Sequence, residues 1–193
     1  LISAAAAMIQ HAIQDDTPLE ASWRPDQRLR VDAFTIPGIP SLREWNRPVE
    51  MVLTAGAFPY WEDLEVTRKQ ETIRRGTMTL TPPGQTKYTL LEADFQNVAA
   101  QDLQTLDLTI LAAGSQIGYL SLSGFQVETA EHLVITHDKY GFLRIYAAGR
   151  SILTSRSAGS SDELRLLAGV ENQIEISSTR NLNPILSTRG RYL

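Results

Sequence analysis

From Gly124 to Leu193 apolar and polar residues alternate in short runs, the period of two expected of strands with one buried face. The runs are His132–Thr136, Phe142–Tyr146, Ser151–Thr154, Asp162–Leu166, Gln173–Ile176 and a closing strand that ends at Tyr192. Asp138-Lys139-Tyr140-Gly141 and Ala148-Gly149 read as tight turns, their glycines supplying positive φ. Ser157–Asp162 reads as a flexible polar loop before a strand. Along the second run Phe142, Arg144 and Tyr146 share one face, which leaves Leu143, Ile145 and Ala147 for the core. The expectation is an antiparallel meander that builds a sandwich, with the Phe142-Arg144-Tyr146 stripe as a docking patch for other proteins.

Period two also runs through the earlier chain. Leu29, Val31 and Ala33 alternate with Arg30 and Asp32, and Val49, Met51 and Leu53 with Glu50 and Val52; Met78 and Leu80 alternate with threonines, and Tyr88 and Leu90 follow. Pro37-Gly38-Ile39-Pro40 and Pro82-Pro83-Gly84 punctuate these runs. Leu106, Leu108 and Ile110 form a further strand, with Gly114-Ser115 turning into Ile117–Leu122. Segment 62–81 is highly charged for a hairpin and carries Arg68, Lys69, Arg74 and Arg75. Strands polar on both faces commonly serve as arms lying on a neighbouring subunit, so this segment is expected to protrude. The amino end differs: Ser3 caps a helix to about Gln14, with Ile2, Ala5, Ile9 and Ile13 on one face. Asp15-Asp16-Thr17-Pro18 ends it. The fold class expected is mainly β with one N-terminal helix, in two lobes, 1–95 and 96–193.

Bulk properties exclude several functions. A net charge of −4 argues against nucleic-acid binding, which needs a basic face. With no cysteine there is no disulfide framework, thiolate metal site or cysteine nucleophile. The alanine-rich run Ile2–Ile13 is too short and polar to span a bilayer and lacks the basic start of a signal peptide. The chain opens on Leu1, so it is expected to be part of a longer protein. Of three histidines, His132 and His137 are five apart on one strand, on opposite faces, and make a poor metal pair. No Gly-x-Ser-x-Gly elbow and no glycine-rich phosphate loop is present. Glu62/Asp63 and Asp15/Asp16 are neighbours whose side chains diverge, unlike a glycosidase pair. No enzyme activity, cofactor or metal is expected.

Two segments resemble the distal tail proteins of long-tailed, non-contractile bacteriophages. Leu53–Trp61 is similar to that family's strand ending in a proline-tyrosine-aromatic corner, here Pro59-Tyr60-Trp61. Leu164–Ile176 is similar to the segment in which a glycine turn and an asparagine close a hairpin, here Gly169, Glu171 and Asn172. The chain departs from the pattern at Phe58, Ala168 and Val170. The resemblance covers roughly residues 22–193. It implies a belt-like, ring-forming domain over 1–95 and a galectin-like sandwich over 96–193. It also implies a hexameric ring at the virion tail tip, assembled in the cytoplasm of the bacterial host. The ring's partners would be copies of itself, the tail tube, the tape-measure protein and receptor-binding or tail-associated proteins, and no active site comes with it. An alternative from a different class is a carbohydrate-binding sandwich contacting the host cell surface through Tyr60, Trp61, Tyr140, Phe142 and Tyr146. Aromatic alternation on strands also serves core and corner packing.

Overall fold

The computed structural model describes residues 19–29, 33–35, 52–54, 60–138 and 140–193. Their strands are β1 (Leu19–Ala21), β2 (Arg24–Leu29), β3 (Ala33–Thr35), β4 (Val52–Thr54), β5 (Trp61–Asp63), β6 (Thr67–Gln70), β7 (Ile73–Leu80), β8 (Tyr88–Leu90) and β9 (Glu92–Asn97). Then follow β10 (Leu103–Ala112), β11 (Ser115–Val127), β12 (His132–His137), β13 (Leu143–Ala147), β14 (Arg150–Ser151), β15 (Arg165–Leu167), β16 (Asn172–Thr188) and β17 (Arg191–Tyr192). No α-helix occurs among the described residues. The expected class, mainly β with one helix, is therefore corrected: the described chain is all-β. The helix expected over Ser3–Gln14 lies outside the described residues. The strand expected over Ser151–Thr154 is also shorter. It stops at Ser151 and gives way to a 3-10 turn, Leu153–Ser155, in which Ser155 N–H reaches back to the Ile152 carbonyl at 2.8 Å.

The spine of the molecule is β16. Its first half pairs with β10 on one side (Leu106↔Ser178 to Ala112↔Asn172) and β7 on the other (Arg75↔Ser177 to Leu80↔Asn172). Past Leu182 its neighbours change to β9 (Leu182↔Asn97 to Ser187↔Glu92) and β6 (Ile185↔Gln70 to Thr188↔Thr67). Pro184 sits where β9 already flanks the strand but β6 does not. A residue without an N–H is tolerated there, because one side of the ladder is absent. From β9 the sheet continues through β12 and β13 to β14, while β11 lies beyond β10.

These strands enclose one apolar core. Met78, Leu91, Phe95, Leu106, Leu108, Ile110, Leu120, Ile135, Ile145, Leu166, Ile174 and Leu186 all belong to it and are fully buried. The alternation decides which residues enter, since successive strand residues point to opposite faces. Segment 62–81, expected to protrude, contributes Met78 and Leu80 to this core, and β6 and β7 within it pair with β16. A division at residue 95 falls inside β9, whose Ala93 and Phe95 share the same core.

Two turns set hairpins directly. Ala113-Gly114 and Ala148-Gly149 each have two positive φ values in succession (49° and 76°; 46° and 76°) between the closing pairs Ala112↔Ser115 and Ala147↔Arg150. That is the two-residue geometry whose twist matches a β-hairpin. The Ala148-Gly149 turn is the one its sequence announces.

A second, smaller sheet runs β1-β2-β5-β17, so the end of the chain pairs beside Trp61 and Glu62. Its far margin is closed by Gln85 and Thr86, whose N–H groups donate to the Arg191 carbonyl at 2.8 and 3.1 Å. Gly84 permits that approach. At φ +133° it adopts a conformation that side-chain-bearing residues avoid, and a Cβ there would lie 2.9 Å from the Arg191 backbone. Pairs β15-β8 and β3-β4 complete the strand pairing.

Candidate interaction surfaces

The free margins of the sheets come first, because unpaired strand edges are where another chain pairs. The β11 margin is occupied. Tyr119 and Ser121 N–H donate to Ser161 Oγ and Ser160 Oγ, both at 3.0 Å, and Ser157 and Ser161 N–H donate to the Ser121 and Tyr119 carbonyls at 2.9 and 2.7 Å. The serine loop that reads as flexible in the sequence is thus a clip along an edge. β7 has no such cover among the described residues: its ladder partner is β16 alone. Arg74, Arg75, Gly76 and Thr77 are exposed in succession, so both faces of the strand meet solvent before Met78 turns into the core.

The four cations expected to act together are separated. Arg74 and Arg75 lie on β7 beside the first half of β16; Arg68 and Lys69 lie on β6 beside the second. Adjacent strand residues point to opposite faces, so neither pair forms a patch by itself. Lys69 Nζ is 3.3 Å from Glu71 Oε1 and donates to Thr79 Oγ1 at 3.2 Å, tying β6 to β7. Arg68 instead borders a groove with Glu92, Asp94 and Thr136.

The Phe142-Arg144-Tyr146 stripe lies on the outer face of β13 and its leading turn, with Leu143, Ile145 and Ala147 buried behind it. Phe142 is 60% exposed. Asp138 holds the turn rigid: its Oδ1 accepts from Tyr140 and Phe142 N–H at 2.9 and 3.0 Å, and Arg144 Nε donates to its Oδ2 at 3.1 Å. Burial alone would raise that carboxyl, but these N–H groups and the guanidinium outweigh it and hold it below its ordinary value. The remainder of the face is polar, with His132 Nδ1 2.7 Å from Asp94 and Thr136 donating to Glu92 at 3.1 Å.

The aromatic corner sits where the small sheet meets the sandwich. Pro59 lies outside the described residues. Trp61 pairs between Leu29 and Tyr192 with the Arg24 guanidinium 5.0 Å from its ring centre, and the Arg191 guanidinium lies 6.0 Å from Tyr60. Beneath them Glu62 is gripped by Arg191 (3.3 Å) and Arg28 (3.6 Å). Nearby, Tyr192 Oη donates to Asp63 Oδ2 at 3.1 Å, while Asp63 is pushed above its ordinary value chiefly by burial. Sequence reasoning missed Glu62 and Arg191, since charges in a charged stretch carry no mark of burial.

In the other resembling segment Gly169 has φ +71° and its N–H donates to the Pro82 carbonyl at 2.8 Å, while Glu171 is exposed. Asn172 is fully buried. Its Nδ2 donates to the carbonyls of Val170 (2.8 Å), Leu167 (2.9 Å) and Leu80 (3.3 Å), and its Oδ1 accepts from Leu167 N–H at 2.8 Å. The turn it closes differs from the hairpin expected: β15 pairs with β8, and β16 with β10 and β7, so the chain arches between sheets there.

Among the described residues no group of three or more His, Cys, Asp or Glu side chains converges as a metal site, and no helix is long and apolar enough to cross a membrane. No protein-family description matches the chain, and no curated protein matches its sequence. Its fold is similar to that of SPP1 Dit (gp 19.1), whose crystal structure is presented as a paradigm of the hub adsorption apparatus in phages infecting Gram-positive bacteria. The TM-score is 0.59 at 12% identity, over 91% of this chain and 64% of that one, so the chain spans less than two thirds of that protein. At so low an identity the likeness concerns architecture alone: the chain shares the fold of that phage protein.

Proposed function

We propose that this chain is a non-enzymatic structural subunit of a bacteriophage or prophage tail tip. It is a hub that forms a ring with copies of itself and joins the tail tube and tape-measure end to the receptor-binding apparatus. The observation that carries the reading is the likeness to SPP1 Dit over 91% of this chain. The exposed, two-sided edge of β7 supports it as well, because a head-to-tail contact that closes by rotation needs such an edge on every copy. In this reading the ring is hexameric and is built by the amino-terminal part. The sandwich is the outward, galectin-like part, which presents the rigid Phe142 turn to partners. The assembly resides at the virion tail tip and forms in the host cytoplasm.

Light scattering coupled to size exclusion, followed by negative-stain imaging, tests it. Six-fold rings are expected, and Arg74→Glu with Arg75→Glu is expected to return folded monomers. A chain that stays monomeric at the highest attainable concentration overturns the ring.

A further inference from the structure

Between Tyr60, the strand of Tyr88 and the turn of Tyr140 lies an open cleft of about 310 Å3, walled also by Lys87, Arg165 and Arg191. Of the aromatic residues the sequence suggests as a sugar platform, Tyr60 and Tyr140 line it; Trp61, Phe142 and Tyr146 do not. Tyr88 takes their place.

The cations here are held over rings. Lys87 Nζ lies 4.9 Å and the Arg165 guanidinium 5.4 Å from the centre of the same Tyr88 ring, and Arg191 is 6.0 Å from that of Tyr60. Ring faces attract cations, but two on one phenol also repel each other, and an anion between them relieves that repulsion. Glu163 is the carboxylate in the lining, and Arg165 Nε already donates to it at 2.8 Å. Lys87 is exposed and has no ion-pair partner among the described residues. A chain with a net charge of −4 thus holds a cleft walled by three cations and one carboxylate, in which Arg165 is paired with Glu163, Arg191 with Glu62, and Lys87 has its charge uncompensated among the described residues.

Size and hydrogen bonding narrow the ligand. A bare phosphate fills little of such a volume, which reaches the range of small-molecule sites. A phenol ring offers a flat apolar face to a sugar ring, and a phenol hydroxyl such as that of Tyr88 can donate to and accept from sugar hydroxyls. Tyr140 is 52% exposed, and Asp138 fixes its backbone through the 2.9 Å bond to its N–H, so the cleft is pre-organised. We propose that this cleft binds an anionic sugar, with its phosphate or carboxylate on Lys87 and Arg165 and its ring against Tyr140. The inference is independent of the hub reading, because it concerns one copy of the chain.

Calorimetric titration with glucose 6-phosphate, glucuronic acid, glucose and inorganic phosphate tests it. Either anionic sugar is expected to bind at least about tenfold more tightly than glucose or inorganic phosphate, with an affinity that falls as salt rises. The stronger anionic sugar identifies the acidic group. Lys87→Ala and Tyr140→Ala, both at exposed positions, are expected to weaken it at least about fivefold while the melting temperature holds. The proposal is overturned by an adventitious ion only, meaning inorganic phosphate as tight as the sugars. It is equally overturned by tighter binding of a glutamate-rich peptide, by affinity unchanged in Lys87→Ala, or by no binding of either anionic sugar at about 10 mM in both calorimetry and an NMR titration.

Discussion

Arg191 Nε donates to Glu62 Oε1 at 3.3 Å across 129 residues of sequence, with both side chains about nine-tenths buried. The pair locks β17 to β5 within the small sheet, where the two residues are register partners. Removing one partner leaves the other charge out of water with less compensation. Glu62→Leu or Arg191→Met alone is expected to cost about 3–5 kcal/mol in urea unfolding. The double variant should be less destabilised than the sum of the two, by about 1–3 kcal/mol of coupling. Strict additivity would show that the two charges do not depend on each other.

Asn172 is the polar knot of the core. Its amide satisfies three carbonyls and one N–H from β7, β15 and the arch between β15 and β16. Each such bond contributes about 0.5–1.5 kcal/mol, and buried groups left unpaired cost more. Asn172→Ala is expected to lower stability by at least about 3 kcal/mol, and Asn172→Leu no less, since an apolar side chain satisfies none of the four. Denaturant midpoints compared at equal slope are the measurement.

His137 sets a pH dependence. Its ring is buried, with Nε2 accepting from Leu164 N–H at 3.4 Å and no partner for Nδ1 among the described residues. Burial first, and then the Arg191 charge, lower its pKa from 6.5 to about 4. The unfolded chain therefore takes up this proton near pH 6.5, whereas the folded chain resists until about pH 4. Stability is expected to fall as pH drops through that window, by at most about 3 kcal/mol from this residue, with no further loss from it below. His137→Gln should flatten that limb of the stability–pH curve; an unchanged limb would assign it to other groups.

Ala148 carries φ 46° in a turn that Asn or Gly adopts at lower strain. Ala148→Asn is expected to raise stability by about 0.5–1 kcal/mol, and Ala113→Asn (φ 49°) to do the same in the β10–β11 turn. The two turns lie in separate hairpins, so their increments should add in thermal unfolding.

What the sequence alone determined is the content of strands and which side of each faces inward. The alternation of residues 143–147 reads directly into burial, as does the turn at Ala148-Gly149, because a pleated strand and a two-residue turn are local structures set by adjacent side chains. Partnership was decided by tertiary structure. Gln173–Ile176 and Ile185 onward read as separate strands because Ser177–Asn181 is polar and Pro184 cannot donate, yet β16 runs unbroken through both. Its neighbours on either side are supplied by β6, β7, β9 and β10, from far earlier in the chain. The same holds for the cleft: Tyr60, Tyr88 and Tyr140 meet because three distant segments converge. Sequence periodicity records which face of a strand is apolar, but not which strand lies beside it.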